Sequence, residues 1–150
     1  MTEKFYFEDF VVGETLEIGS HTITQPEILE FAGKYDPQPF HVDVERAKDT
    51  IYGGLIASGW QTCSIAMRMM CDAYLNRTVS MGSPGMEEIR WLKPVRPGDT
   101  LTLQRTIEEA RPTSKPDRGL VLTRWDVNNQ RGEHVMMMRG YGLFGRRPAV

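Results

Sequence analysis

The stretch from Thr50 to Met67 carries no charged side chain, and no other feature constrains the fold as much. From Leu55 to about Leu75 the apolar residues recur at helical spacing, and the first charge is Arg68. A helix that is apolar nearly all round is buried on most sides. The rest of the chain must therefore supply a layer that wraps it. Met67, Met69 and Met70 are expected to pack the core, since methionine fills irregular gaps. The run also contains Gly, Thr, Ser and Gln, which makes it too polar for a membrane span. Cys63 and Cys71 fall in the same segment and read as small hydrophobes, with neither a disulfide framework nor a zinc spacing around them.

The wrapping layer is legible downstream as strands. Gly82 to Gly85 is a turn, and Met86 to Lys93 reads as a strand. Pro94-Val95-Arg96-Pro97-Gly98-Asp99 is a second turn. From Thr100 to Glu109, Leu101, Leu103 and Ile107 alternate with polar residues, as a half-buried strand requires. Arg111 to Arg118 is a polar loop. Gly119 to Asn128 puts Val121, Thr123, Trp125 and Val127 on one face. A hairpin at 128–132 returns the chain along Glu133 to Phe144. Gly140 and Gly142 share a face of this strand and are expected to let the buried helix approach. The tail from Gly145 is expected to fray. Upstream, Phe5 to Ile18 forms an entry loop and a first strand. Thr24-Gln25-Pro26-Glu27 opens a helix with a capping box, and that helix ends near Tyr35. A short helical turn follows around Val44 to Lys48. The class is α+β: one domain over residues 1–150, a curved antiparallel sheet around a central helix. So small a sheet leaves an exposed edge, and pairing two edges in a dimer covers it.

Between the two helices lies Asp36-Pro37-Gln38-Pro39-Phe40-His41. Each proline lacks an N–H and biases the residue before it away from the α region, so the segment reads as a stiff, non-helical loop. It holds a carboxylate and an imidazole five residues apart, a suitable pair for proton transfer. An ordinary helix-ending turn with an inert histidine is the competing reading.

Three stretches carry a family resemblance over nearly the whole chain: Phe31 to Asp43, Gly53 to Trp60, and Leu92 to Asp99. In order and residues the chain resembles the MaoC-like hydratase/dehydratase family of hot-dog-fold proteins, which includes the R-specific enoyl-CoA hydratases. The third stretch is common to many hot-dog proteins and speaks to fold more than activity. The resemblance implies a hot-dog dimer, or dimer of dimers, acting on an acyl-CoA thioester. Coenzyme A enters as part of the substrate and no other cofactor is implied. It implies Asp36 and His41 as the catalytic pair that activates water, and Gly59 as the glycine whose N–H polarises the thioester carbonyl. Close approach at a glycine near a helix start is consistent with that role.

The chain departs from the strict pattern at Gln38, where the R-hydratases have Asn, and at Phe40, where they have a smaller aliphatic. Ser58 stands where His is frequent, and Met67 replaces a frequent Ser. Gln38, Phe40, Ser58 and Trp60 are the expected substrate-binding residues, with Tyr52 a further aromatic near an acyl pocket. Residues 1–50 carry a net charge of −7 and residues 101–150 a net charge of +4. That asymmetry suggests CoA phosphate contacts at Arg96, Arg111, Lys115 and Arg118, against plain surface charge for each.

There is no basic-aromatic stripe to suggest nucleic acid. The N-terminus lacks a signal peptide's apolar core, and a cytoplasmic, reduced protein is expected. Two other activities compete: a hot-dog thioesterase, disfavoured because Leu55 to Met67 has no carboxylate, and a non-catalytic acyl-CoA binder. His41-Val42-Asp43 with His21 or His134 completes no metal spacing, and there is no Gly-x-Ser-x-Gly elbow.

Overall fold

In the computed structural model, which describes residues 3–149, the wrapping layer is a five-stranded antiparallel sheet ordered β1-β3-β4-β5-β2. The strands are β1 (Thr15–Thr22), β2 (Met86–Trp91), β3 (Thr100–Pro112), β4 (Arg118–Asn128) and β5 (His134–Gly145). The helices are α1 (Gln25–Tyr35), the single turns α2 (Pro39–Val42) and α3 (Val44–Ala47), and the central α4 (Gly59–Ala73).

Alternation in β3 and β4 buries Leu101, Leu103, Ile107, Val121 and Val127 completely against α4, each contributing about 1.5–3 kcal/mol of hydrophobic stabilisation. The turn Pro94–Asp99 is closed by Asp99, whose buried carboxylate accepts from the Arg96 N–H at 2.9 Å and from the Gln130 amide at 3.0 Å. The capping box of α1 forms in both directions: Glu27 N–H to Thr24 Oγ1 at 3.3 Å and Thr24 N–H to Glu27 Oε2 at 3.0 Å. Among the described residues no helix is long and apolar enough to cross a membrane.

Five expectations need correction. The central helix begins at Gly59, because Leu55 to Ser58 form a buried extended strap instead. Met69 and Met70 are buried, but Met67 is half exposed, so one side of α4 lacks cover. Close helix approach occurs at Gly19 on β1, where a Cβ would lie 3.2 Å from Met69. Gly140 and Gly142 accommodate the side chains of Met86 and Phe144. The C-terminal residues are tied down through Arg147, whose guanidinium meets Asp9 at 2.6 Å while its N–H donates to Glu8 at 2.9 Å. Finally, His41 sits on a helical turn, since Pro39 occupies the first helical position, where its missing N–H costs nothing.

Candidate active site

Asp36 terminates α1 because Pro37 forbids another turn, and its N–H still donates to Ala32 O. Two residues later Pro39 restarts the helix, and the turn α2 swings His41 back beneath Asp36. Their Nε2 and Oδ2 atoms stand 3.3 Å apart, with side chains 6% and 17% exposed.

One neighbour fixes the imidazole and two fix the carboxylate. The other imidazole nitrogen, Nδ1, lies 2.7 Å from the Ile56 carbonyl oxygen. A carbonyl can only accept, so Nδ1 must carry the proton and Nε2 of the neutral ring is an acceptor. Asp36 accepts from the Gln38 amide at 2.6 Å on Oδ1 and from the Ser58 hydroxyl at 2.7 Å on Oδ2. Burial pushes the Asp36 carboxyl up, but the hydrogen bonds from Gln38 and Ser58, with the attraction His41 exerts when its ring is protonated, outweigh it. The carboxyl is held below its ordinary value.

Two acceptors at 3.3 Å repel unless a proton or a donor lies between or beside them. The pair is therefore built either to share a proton or to hold a water molecule by both of its hydrogens.

Ser58 also caps α4, its hydroxyl accepting from the Trp60 N–H at 3.3 Å while donating to Asp36. One buried hydroxyl thus ties the carboxylate to the start of the central helix. The next N–H, that of Gly59, has no acceptor among the described residues and belongs to the electropositive first turn. Glycine at 59 is what lets the Trp91 indole lie this close, since a Cβ there would be 2.4 Å from it. Beside it opens a cavity of about 330 Å³ whose walls include Phe40, His41, Tyr52, Gly59, Thr62 and Trp91.

Asp36, Gln38, Phe40, His41, Ser58 and Gly59 are thus brought together. Trp60 is 56% exposed and packs edge to face against Trp91 at 5.1 Å rather than lining the cavity. Arg96 does not line it either, and its guanidinium donates to the Tyr52 carbonyl at 2.5 Å. Arg111 and Arg118 lie at the β3–β4 hairpin, the far end of a 13-residue strand from the cavity. There Arg118 pairs with Asp117 and Arg111 packs on Tyr141.

Sequence reasoning missed Trp91, Leu92 and Lys93 as cavity walls. Their only signal was position, immediately before the Pro94–Asp99 turn. Lys93 Nζ is paired with Glu133 at 2.7 Å. No group of three His, Cys, Asp or Glu residues suited to a metal exists among the described residues.

Comparison with known proteins places this geometry in a family. Residues 9–128 match the model of the MaoC like domain. The chain belongs to the MaoC-like family. The crystal structure of a MaoC-like dehydratase from Rhodospirillum rubrum superposes with a TM-score of 0.85 at 37% identity, covering 97% of this chain and 99% of that one. The five-stranded sheet wrapped on α4 is therefore the hot-dog fold of MaoC-like dehydratases.

Two curated relatives are similar in sequence. An uncharacterized Bacillus subtilis protein, YdeM, is 32% identical over 94 residues, 63% of this chain and 67% of its own length. An (R)-specific enoyl-CoA hydratase of Rhodospirillum rubrum is 28% identical over 117 residues, 73% and 74% of the two chains. Within this MaoC-like domain, Asp36, His41 and Gly59 all fall inside the matched region.

Proposed function

We propose that this MaoC-like protein is a hydro-lyase that adds water reversibly to a 2-enoyl-CoA thioester. The observation that carries the reading is the pair of acceptors, Asp36 Oδ2 and His41 Nε2, 3.3 Å apart and beside the unpaired Gly59 N–H. Water donating one hydrogen to each acceptor points an oxygen lone pair away from both, toward C3 of the substrate. As the C3–O bond forms, the C2=C3 π electrons move to the thioester carbonyl. The Gly59 N–H and the α4 terminus stabilise the resulting enolate oxygen. The Asp36/His41 pair takes one proton from the water and one proton is delivered to C2, so the site ends as it began. The reverse sequence eliminates water from a 3-hydroxyacyl thioester. The (R)-specific enoyl-CoA hydratase relative supports this reaction class for the chain.

In this reading Phe40 and Tyr52 wall the acyl group, while Gln38 and Ser58 hold the carboxylate. Trp60, Met67, Met86, Trp91 and Leu92, each exposed by 44% or more, line α4 and the edge strand β2. Their burial by a second copy would form a homodimer whose seam adjoins the cavity mouth.

The test is loss of enoyl-thioester ultraviolet absorbance with a short 2-enoyl-CoA. Asp36→Asn and His41→Ala should each lower the rate about 10²–10⁴-fold. Release of free thiol without enoyl loss would replace the hydratase reading by hydrolysis.

A further inference from the structure

We infer that Arg96 is a positioning residue that fixes the histidine wall of the active site, not a ligand of the coenzyme A phosphates; this rests on the hydratase reading above.

Residues 52–57 run as a strap between α3 and α4, and four hydrogen bonds fasten it to α2 and to the Pro94–Asp99 turn. At its far end the Ala57 N–H donates to Val95 O at 2.8 Å. In its middle Ile56 is stitched twice to α2, its N–H donating to Phe40 O at 3.0 Å and its carbonyl accepting from His41 Nδ1 at 2.7 Å. At its near end the Arg96 guanidinium donates to Tyr52 O at 2.5 Å, while Thr50 just upstream accepts from the Tyr52 N–H on its hydroxyl at 3.3 Å and from the Gly53 N–H on its carbonyl at 3.0 Å. Between Tyr52 and Leu55 stand Gly53, at φ +67°, and Gly54, so the near end has little stiffness of its own. A Cβ on Gly54 would sit 3.4 Å from Arg96 Nη1, so the guanidinium lies along this glycine pair.

Tyr52 matters to the chemistry because its ring packs on Phe40 at 5.3 Å, and Phe40 packs edge-on against His41 at 4.5 Å. The strap sets the His41 tautomer through Ile56, and the edge-to-face Tyr52–Phe40 contact sets the tilt of the ring. Arg96 is itself held by the Pro94–Asp99 turn, through its N–H on the buried Asp99. One turn thus clamps both ends of the strap, Val95 by its backbone and Arg96 by its side chain. No carboxylate pairs with the Arg96 guanidinium among the described residues. Its one side-chain hydrogen bond among the described residues goes to a carbonyl.

The two roles separate with Arg96→Ala, Arg96→Gln and Arg96→Lys, assayed on an enoyl-CoA and on the matching enoyl-pantetheine thioester, which lacks the nucleotide phosphates. As a positioning residue, loss of Arg96 lowers kcat about tenfold to a hundredfold, equally on both thioesters. Arg96→Lys, which keeps one donor, recovers part of the loss. Amide exchange across residues 49–57 should quicken in Arg96→Ala while the sheet stays protected. A rise in KM for the CoA thioester alone, with kcat unchanged and the pantetheine thioester unaffected, would overturn the inference and make Arg96 a phosphate ligand. Unchanged exchange in 49–57 would overturn it as well. A wild-type protein that turned over neither thioester would defeat the hydratase reading, and the exchange measurement would still decide whether Arg96 holds the strap.

Discussion

Removing the Ser58 hydroxyl tests the site and the fold together. Ser58 is fully buried, and its single oxygen accepts from the Trp60 N–H and donates to Asp36. Loss of an N-cap costs about 1 kcal/mol. Loss of a hydrogen bond to a charged group costs about 1.5–3 kcal/mol. The two losses share one atom and Gln38 still holds Asp36, so Ser58→Ala should destabilise by about 2–3 kcal/mol at neutral pH. For a chain this long that lowers Tm by roughly 2–4 °C per kcal/mol. The sign with pH follows from Asp36. Its folded value lies below the ordinary one, so its contribution is present above the unfolded value, near 3.9, and is lost as pH falls through the folded value. The hydroxyl–carboxylate bond shares that window. The gap between wild type and Ser58→Ala should therefore narrow to the cap contribution as pH drops below about 4, while the acid limb of kcat/KM moves upward because Asp36 has lost a stabilising donor. Urea titrations across pH read the first effect and pH–rate profiles the second. A gap below about 0.5 kcal/mol at neutral pH, or one constant from pH 7 to 3, would refute the shared-hydroxyl arrangement.

Further outcomes follow from individual contacts. Gly59→Ala places a Cβ against the Trp91 indole, which at 46% exposure can shift toward solvent at the cost of its contact with Trp60; stability should fall by about 1 kcal/mol while enoyl hydration falls far more, measured by melting and rate on one preparation. Glu14→Ala removes the ion-pair partner of the buried Arg105 guanidinium at 2.8 Å, leaving it over the Tyr74 ring at 4.6 Å, and should cost about 1.5–3 kcal/mol in chemical denaturation, whereas Arg105→Met with Glu14→Leu should cost less. Met86→Lys with Leu92→Lys adds charge beside the β2 edge and should give a monomer by light scattering if that edge is the dimer seam.

The uncharged run, the alternation in β3 and β4 and the capping box were legible because each is a local pattern with one physical reading. The closeness of Asp36 and His41 was legible too, since Pro37 and Pro39 stiffen the short segment between them, although the helical restart at Pro39 was not. What escaped was set by distant pairings. Nothing near Arg96 in sequence says that its guanidinium reaches Tyr52, 44 residues away. Its charge drew attention to phosphates, whereas the fold spends it on a carbonyl. The helix start moved from Leu55 to Gly59 for a similar reason. Leu55 to Ala57 are helix-tolerant residues, but Ala57 N–H is claimed by Val95 O and Ile56 by both Phe40 and His41, so tertiary hydrogen bonds overrode local propensity. Of the four residues a sequence pattern assigns to the helix, Ile56 holds the histidine and Ser58 the carboxylate, and starting the helix at Gly59 is how the fold leaves that N–H without an intrahelical partner beside the cavity.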